Sequence, residues 1–179
     1  MIYGERIRLR ALERTDIAQF TEWLNDPEVR RGLMFRQPFS IAEEENWFEN
    51  MLKSPQEEHP LGIEILTDSG WELIGNCGLA DFDWVARQAG FGIIIGVKEH
   101  WNQGYGTEAL KLMINHGFRT LNLNRIWLVV YENNPRAQRC YEKAGLSVEG
   151  RKRQAHYDEG QFFDIILMSI LRSEWEGNK

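Results

Sequence analysis

Cysteine is scarce: the 179 residues hold two, Cys77 and Cys140. Two thiols make neither a disulfide framework nor a metal-ligand pattern, so a metal-free protein of the reducing cytoplasm is expected. Long apolar runs are missing as well. The richest, Phe91 to Val97, includes two glycines and falls short of the ~20 residues that span a bilayer as a helix. Met1 to Arg6 carry no apolar stretch of the secretory kind, so neither a signal segment nor a membrane partner is expected. Basic charge is in deficit, 21 Lys and Arg against 27 Asp and Glu for a net charge of −6. That balance argues against a nucleic-acid partner and leans toward a cationic substrate. Repeats, low-complexity segments and linkers are lacking too, and residues 1–179 are expected to form a single domain.

What is present alternates strand and helix patterns. Ile7 and Leu9 alternate with Arg8 and Arg10, as in a half-buried strand. Ile17, Phe20, Trp23 and Leu24 follow helical spacing behind Thr15 and Asp16, which suit a helix start. Ser40 and Glu43 have capping-box spacing and open a second helix, whose apolar face reads as Ile41, Trp47, Phe48, Met51 and Leu52. Strand-like segments follow near 60–67, 72–81 and 88–97, the first two joined by a turn at Asp68, Ser69 and Gly70. A helix over 105–119 precedes the apolar strand Ile126 to Tyr131. Asn134, Pro135 and Gly145 then frame a short helix as cap, first turn and stop. Two strands near 147–157 and 162–171 meet at Asp158, Glu159 and Gly160. The order implies a mixed α/β domain with a largely antiparallel sheet and about four helices.

Chemistry concentrates at Gln103-Gly104-Tyr105-Gly106-Thr107, between a strand and an amphipathic helix. Glycine allows a tight turn and a close approach, and the first amides of a helix lack intrahelical acceptors, which suits a phosphate. A P-loop is excluded because no Lys-Ser or Lys-Thr pair ends the turn. A dinucleotide fold is a more serious rival, since Gly104, Gly106 and Ala109 fit its fingerprint and Glu132 ends the next strand. Against it, Lys98 to Gln103 separate strand from turn, and the fingerprint comes late in the chain.

Two blocks resemble the GNAT superfamily of N-acetyltransferases. The first is Trp101-Asn102-Gln103-Gly104-Tyr105-Gly106, continued by Thr107, Glu108 and Ala109, with Trp101 replacing the usual Arg or Gln. Trp at that position with Thr-Glu-Ala downstream is similar to the RimJ/RimL-like branch, which acetylates ribosomal-protein amino termini. The second block, Asn134-Pro135-Arg136-Ala137-Gln138-Arg139-Cys140-Tyr141-Glu142-Lys143-Ala144-Gly145-Leu146, departs from the family pattern only at Leu146, where Phe is usual. Spermidine acetyltransferases are similar as well, through Leu121-Asn122-Leu123 and Leu146-Ser147-Val148-Glu149-Gly150.

The resemblance implies a splayed sheet, acetyl-CoA as co-substrate and a primary amine, protein N-terminus or small molecule, as acceptor. A homo-oligomer is compatible with it. The pantetheine arm would run along Ile94, Ile95 and Gly96, and the pyrophosphate would meet Trp101, Asn102, Gln103, Gly104, Tyr105, Gly106 and Thr107. Asn134, Ala137 and Arg139 would border the cofactor. Tyr141 would protonate the departing thiolate, its unperturbed pKa of about 10 lying near that of an alkyl thiol. By spacing alone Tyr141 also belongs to the helical stripe Ala137, Cys140, Tyr141 and Ala144. No base is assigned: Gly90 stands where the spermidine branch carries an acid, and Asp81, Asp83 and His156 are weaker candidates. Cys140 lacks an activating His nearby in sequence, which disfavours a covalent intermediate. Arg31 and Arg36, in the linker after the first helix, would suit an acidic acceptor rather than a polyamine. A non-catalytic acyl-CoA-binding domain is the alternative from another class.

These readings separate in one titration: acetyl-CoA is expected to bind and NAD not to bind. Calorimetry with both ligands checks this, and tight NAD binding without a CoA response would overturn the acyltransferase reading.

Overall fold

The computed structural model describes residues 1–177, which form eight strands and six α-helices. In chain order these are β1 (Ile2–Tyr3), β2 (Ile7–Ala11), α1 (Ile17–Asn25), α2 (Pro27–Arg30), α3 (Ile41–Met51), β3 (Leu61–Thr67), β4 (Gly70–Asp83) and β5 (Gln88–Ile95). Then come α4 (Tyr105–Arg119), β6 (Arg125–Tyr131), α5 (Pro135–Lys143), β7 (Ser147–Asp158), β8 (Gln161–Leu171) and α6 (Arg172–Gly177). The sheet order is β1-β2-β3-β4-β5-β6-β8-β7. Pairing is antiparallel from β1 to β4 and again for β6-β8 and β8-β7. β5 and β6 pair in parallel. Their register covers only Gln88↔Arg125, Ala89↔Ile126 and Gly90↔Trp127, although β5 continues to Ile95 and β6 to Tyr131. Mixed α/β architecture and a largely antiparallel sheet are as expected. The additions are short: β1, α2 and α6 have two, four and six residues, too few to show a period.

The chain clusters into two compact units: Met1–Gly78 with Ile93–Tyr105, and Leu79–Gly92 with Gly106–Lys179. In the first, the inward residues of β2, Ile7 and Leu9, are fully buried, while Arg8 and Arg10 meet acids on the other face. Arg10 grips Asp16 with both terminal nitrogens, at 2.7 and 2.9 Å, and reaches Glu64 through Nε at 2.7 Å. Arg8 Nε adds a second bond to Glu64 at 2.5 Å. Asp16 also accepts from the Glu13 amide at 2.8 Å and so fixes the turn before α1. Losing one member of such a buried set costs more than losing a surface pair, because a partner charge is left uncompensated.

Asp16 makes no side-chain cap bond to α1, whereas α2 and α3 start as their sequences dictate. Asp26 accepts from the amides of Glu28 and Val29 ahead of Pro27, which opens α2. Ser40 and Glu43 form the reciprocal capping box of α3. The core gathers Leu12, Ile17, Phe20, Trp23, Val29, Phe48 and Met51. The apolar face expected for α3 is only partly buried: Phe48 and Met51 are inside, Ile41, Trp47 and Leu52 outside. Glu44 takes the remaining inner position, one turn before Phe48.

Two glycines permit the tightest packing here. A Cβ on Gly75 would lie 2.1 Å from the Ile94 carbonyl oxygen, and one on Gly96 would lie 1.9 Å from the Trp23 indole. In the second unit, α4 buries Ala109, Leu110, Met113, Ile114 and Phe118, each at helical spacing. Gly117 of that helix leaves room for the side chains of Leu79, Leu123 and Ile126.

Gly75→Ala should therefore destabilise by about 2–3 kcal/mol, since backbone and not a flexible side chain must yield. A thermal melt is expected to show a midpoint lower by roughly 5–10 °C. An unchanged midpoint would mean that β4 and β5 separate without cost at Gly75.

Candidate active site

In the first unit, the end of β5 and the turn that follows are held by their own hydrogen bonds. Trp101 Nε1 donates to the Ile95 carbonyl at 2.8 Å, which folds 98–101 back on the strand end. Gly96 donates to the Ile74 carbonyl at 2.8 Å and is covered by Trp23. Asn102 and Gly104 both have positive φ, 62° and 88°, so the turn needs left-handed backbone at two positions. Gly104 supplies one without steric cost, and Asn is among the side chains that tolerate the other. Gln103 is exposed; its side chain donates to the Glu99 carbonyl at 2.6 Å.

Arg6 was not singled out in the sequence, and it meets this turn. Its Nη1 donates to the Gln103 carbonyl at 2.9 Å, and its guanidinium lies 4.8 Å from the centre of the Tyr105 ring. Tyr105 begins α4, whose first amides are the donors that suit a phosphate. The turn thus offers backbone donors, a fixed cation and no side chain at Gly104. That set fits a pyrophosphate.

The same unit holds a cavity of about 220 Å³. Five aromatic rings line it: Phe20 and Trp23 from α1, Phe35 and Phe39 from the loop, and Trp47 from α3. Ile94 of β5 also lines it, as do Glu43 and Glu44. Glu44 is 5% exposed, and its carboxylate makes no hydrogen bond or ion pair with a described residue. Burial, with a smaller contribution from Glu43, pushes its carboxyl above the ordinary range. Arg31 and Arg36 are exposed, and neither lines this cavity.

In the second unit, α5 has the frame that its sequence suggests. Asn134 Oδ1 accepts from the Ala137 amide at 3.1 Å, Pro135 opens the first turn, and Gly145 ends the helix at φ 101°. Ala137 is half-buried and Arg139 exposed. Thr107 Oγ1 sits 3.3 Å from Cys140 Sγ, so the first turn of α4 is tied to α5. Gly106 and Thr107 are half-buried in that turn. Tyr141 is half-buried, and desolvation, with help from Cys140 and opposition from Arg136, pushes its phenol well above the ordinary value. The phenol is neutral, and its raised pKa makes proton transfer to a thiolate less favourable than the unperturbed value suggests. Burial pushes both Cys140 and Cys77 up as well, which leaves them as thiols with little nucleophilic character.

Of the residues weighed as bases or rivals, Asp83 and Glu132 are occupied elsewhere. Asp83 accepts from the amides of Val85 and Ala86. His156 stacks on Tyr131 with ring centres 3.6 Å apart. Glu132 pairs with Arg151 at 2.7 Å and accepts from the Asp164 amide, a strand-end role that leaves no ribose acid for a dinucleotide. Trp84 stacks on Phe82 at the surface. Among the described residues, no group of three or more His, Cys, Asp or Glu is placed to hold a metal ion. No helix among them is long and apolar enough to cross a membrane.

Comparison with known proteins agrees with this geometry. Residues 6–147 match the family described as Acetyltransferase (GNAT) domain. The chain is 30% identical over 172 residues to the spermidine N(1)-acetyltransferase of Vibrio cholerae, covering 96% of each. It is also 30% identical over 180 residues to a Bacillus subtilis (strain 168) protein named "Putative ribosomal N-acetyltransferase YdaF", covering 98% of this chain and 97% of that one. A crystal structure of the Vibrio cholerae spermidine N-acetyltransferase in complex with CoA and spermine matches with a TM-score of 0.85 at 28% identity. That match spans 97% of this chain and 99% of the other.

Proposed function

The chain belongs to the acetyltransferase (GNAT) domain family and is an acetyl-CoA-dependent N-acetyltransferase of a primary amine, and from that premise we propose that its acceptor is a small molecule and that Tyr141 is its general acid. The observation that carries the acid is the placement of Tyr141, a half-buried phenol on a helix fixed at both ends. In this proposal the pantetheine arm lies along Ile94, Ile95 and Gly96, adding amide hydrogen bonds as an extra strand does. The short β5–β6 register supports it, because a strand whose ladder stops early keeps backbone groups for another partner. The pyrophosphate is assigned to the turn from Trp101 to Thr107, and Asn134, Ala137 and Arg139 to the border of the cofactor. The whole chain is read as one catalytic domain, working in the reducing cytoplasm.

The neutral amine attacks the thioester carbonyl, a carbon–nitrogen bond forms and the carbon–sulfur bond breaks. The departing thiolate takes the Tyr141 proton. The nitrogen loses its surplus proton to solvent, from which the phenolate is reprotonated. Cys140 has no part in this route, since a buried thiol one residue from the acid is neither activated nor needed.

A small-molecule acceptor is supported by the dimensions of the aromatic cavity, whose ~220 Å³ lies below the ~300–1,000 Å³ usual for drug-sized ligands. The relatives' names include both a spermidine enzyme and a ribosomal one, so an amino-terminal peptide is the comparison to run.

Tyr141→Phe keeps the ring and removes the proton. Turnover should fall by roughly 10²–10⁴-fold, with the loss mainly in kcat. CoA affinity by calorimetry and the thermal midpoint should stay near those of the parent. The deficit should shrink with a thioester of a more acidic thiol, which needs less protonation on leaving. Turnover within a few-fold of the parent with acetyl-CoA would remove Tyr141 from the mechanism.

A further inference from the structure

A carboxylate on the inner stripe of a helix without a described partner is costly, and Glu44, which opens only to the cavity it lines, is such a group. It lies on the inner stripe of α3 with Phe48 and Met51, where an apolar residue would normally complete the packing. Its surroundings are chosen for a cation in every other respect. Phe20, Trp23, Phe35, Phe39 and Trp47 present rings to the same cavity, and ring faces attract ammonium groups in desolvated sites. Glu43, the other acid of the cavity, is committed to the Ser40 capping box through its backbone and hydroxyl donors. One carboxylate therefore remains for a ligand.

We propose that Glu44 and these rings form the acceptor subsite, and that it takes a short diamine with one ammonium held on Glu44 and the other nitrogen left to react. The inference rests on the N-acetyltransferase reading above and adds the acceptor's charge and size. Two nitrogens are required because the attacking one must be neutral and mobile, whereas one paired with Glu44 is neither. A third cation would find rings but no second free carboxylate, so lengthening the chain to a triamine brings no gain. Ile94 lines this cavity too, which puts its wall on the strand assigned to the acyl donor. Arg31 and Arg36 stay outside it, so the acidic acceptor that they suggested in the sequence has no support from the cavity.

The test compares 1,5-diaminopentane, 1-aminopentane and spermidine with saturating acetyl-CoA, following thiol release by the full chain and by Glu44→Gln. In the parent, kcat/KM for the diamine should exceed that for the monoamine by about 10- to 100-fold, the worth of a charged hydrogen bond. Spermidine should do no better than the diamine. Glu44→Gln should raise the diamine KM by a similar factor and leave the monoamine and acetyl-CoA values within about twofold. Calorimetric titration of the diamine should show the same loss without turnover. The thermal midpoint of Glu44→Gln should equal or exceed that of the parent, because an unpaired buried charge is removed. Equal use of diamine and monoamine, a Glu44→Gln enzyme that keeps the diamine preference, or a clearly lower melting point would each overturn the subsite. Those outcomes leave acetyl transfer itself standing. If the parent binds acetyl-CoA yet acetylates none of the three amines, the small-molecule reading falls along with the subsite.

Discussion

The Trp23 indole lies against the backbone of Gly96, with no space for a Cβ between them. Much of the first unit follows from that approach. It fixes where α1 rests on the end of β5, and Gly75 lets β4 come equally close to Ile94. Because the strand end carries no side chain at Gly96, the indole packs against it while belonging to both the core and the cavity wall. Trp101 closes the same stretch from the other side by donating to Ile95. Such a segment is held by packing and by its bonds to β4, while its ladder toward β6 ends early. That is what a strand needs if its backbone is to remain available to a ligand.

The second unit solves a different problem, that of presenting a neutral acid. Asn134 and Pro135 start α5, and Gly145 stops it. Within that frame Cys140 and Tyr141 are desolvated together, and desolvation acts on them in the same direction. For the thiol, a higher pKa means inertness. For the phenol it means that the proton is present whenever a base as strong as a thiolate appears beside it. A single environment thus holds both neighbours in their neutral, protonated forms.

Legibility in the sequence followed the reach of each signal. Capping and stop residues act within a few positions, so the frames of α3 and α5 were readable from Ser40, Glu43, Asn134 and Gly145. The strands from β2 to β8 were readable from alternation and turn residues, though β4 runs longer than its pattern, from Gly70 to Asp83. α2 was missed because only Val29 in it is buried and four residues show no period. The Arg10 cluster was missed because Asp16 and Glu64 reach it from separate elements, and an alternating strand pattern does not say what its polar face meets. The turn after β5 was read through its glycines, while Arg6 joins it from nearly a hundred residues away in sequence. Trp47 and Ile41 show the converse error: apolar residues at helical spacing that the fold leaves at the surface.

Glu44 is the instructive case, because its signal was present and pointed the wrong way. A charged residue beside Glu43 and Glu45 reads as part of a solvated helix face. The helical period, however, puts Glu44 one turn before Phe48 and two before Met51, on the side that is buried. When period and polarity disagree, folding stability favours the polar residue outside, so an acid kept inside is held there against that preference. Natural chains tolerate such conflicts mainly where a ligand resolves them. Arg31 and Arg36 carry no such conflict, since both are exposed. Between two exposed arginines and one carboxylate among five rings, the carboxylate has the stronger claim to the substrate. A cation beside it offsets the electrostatic cost of its burial.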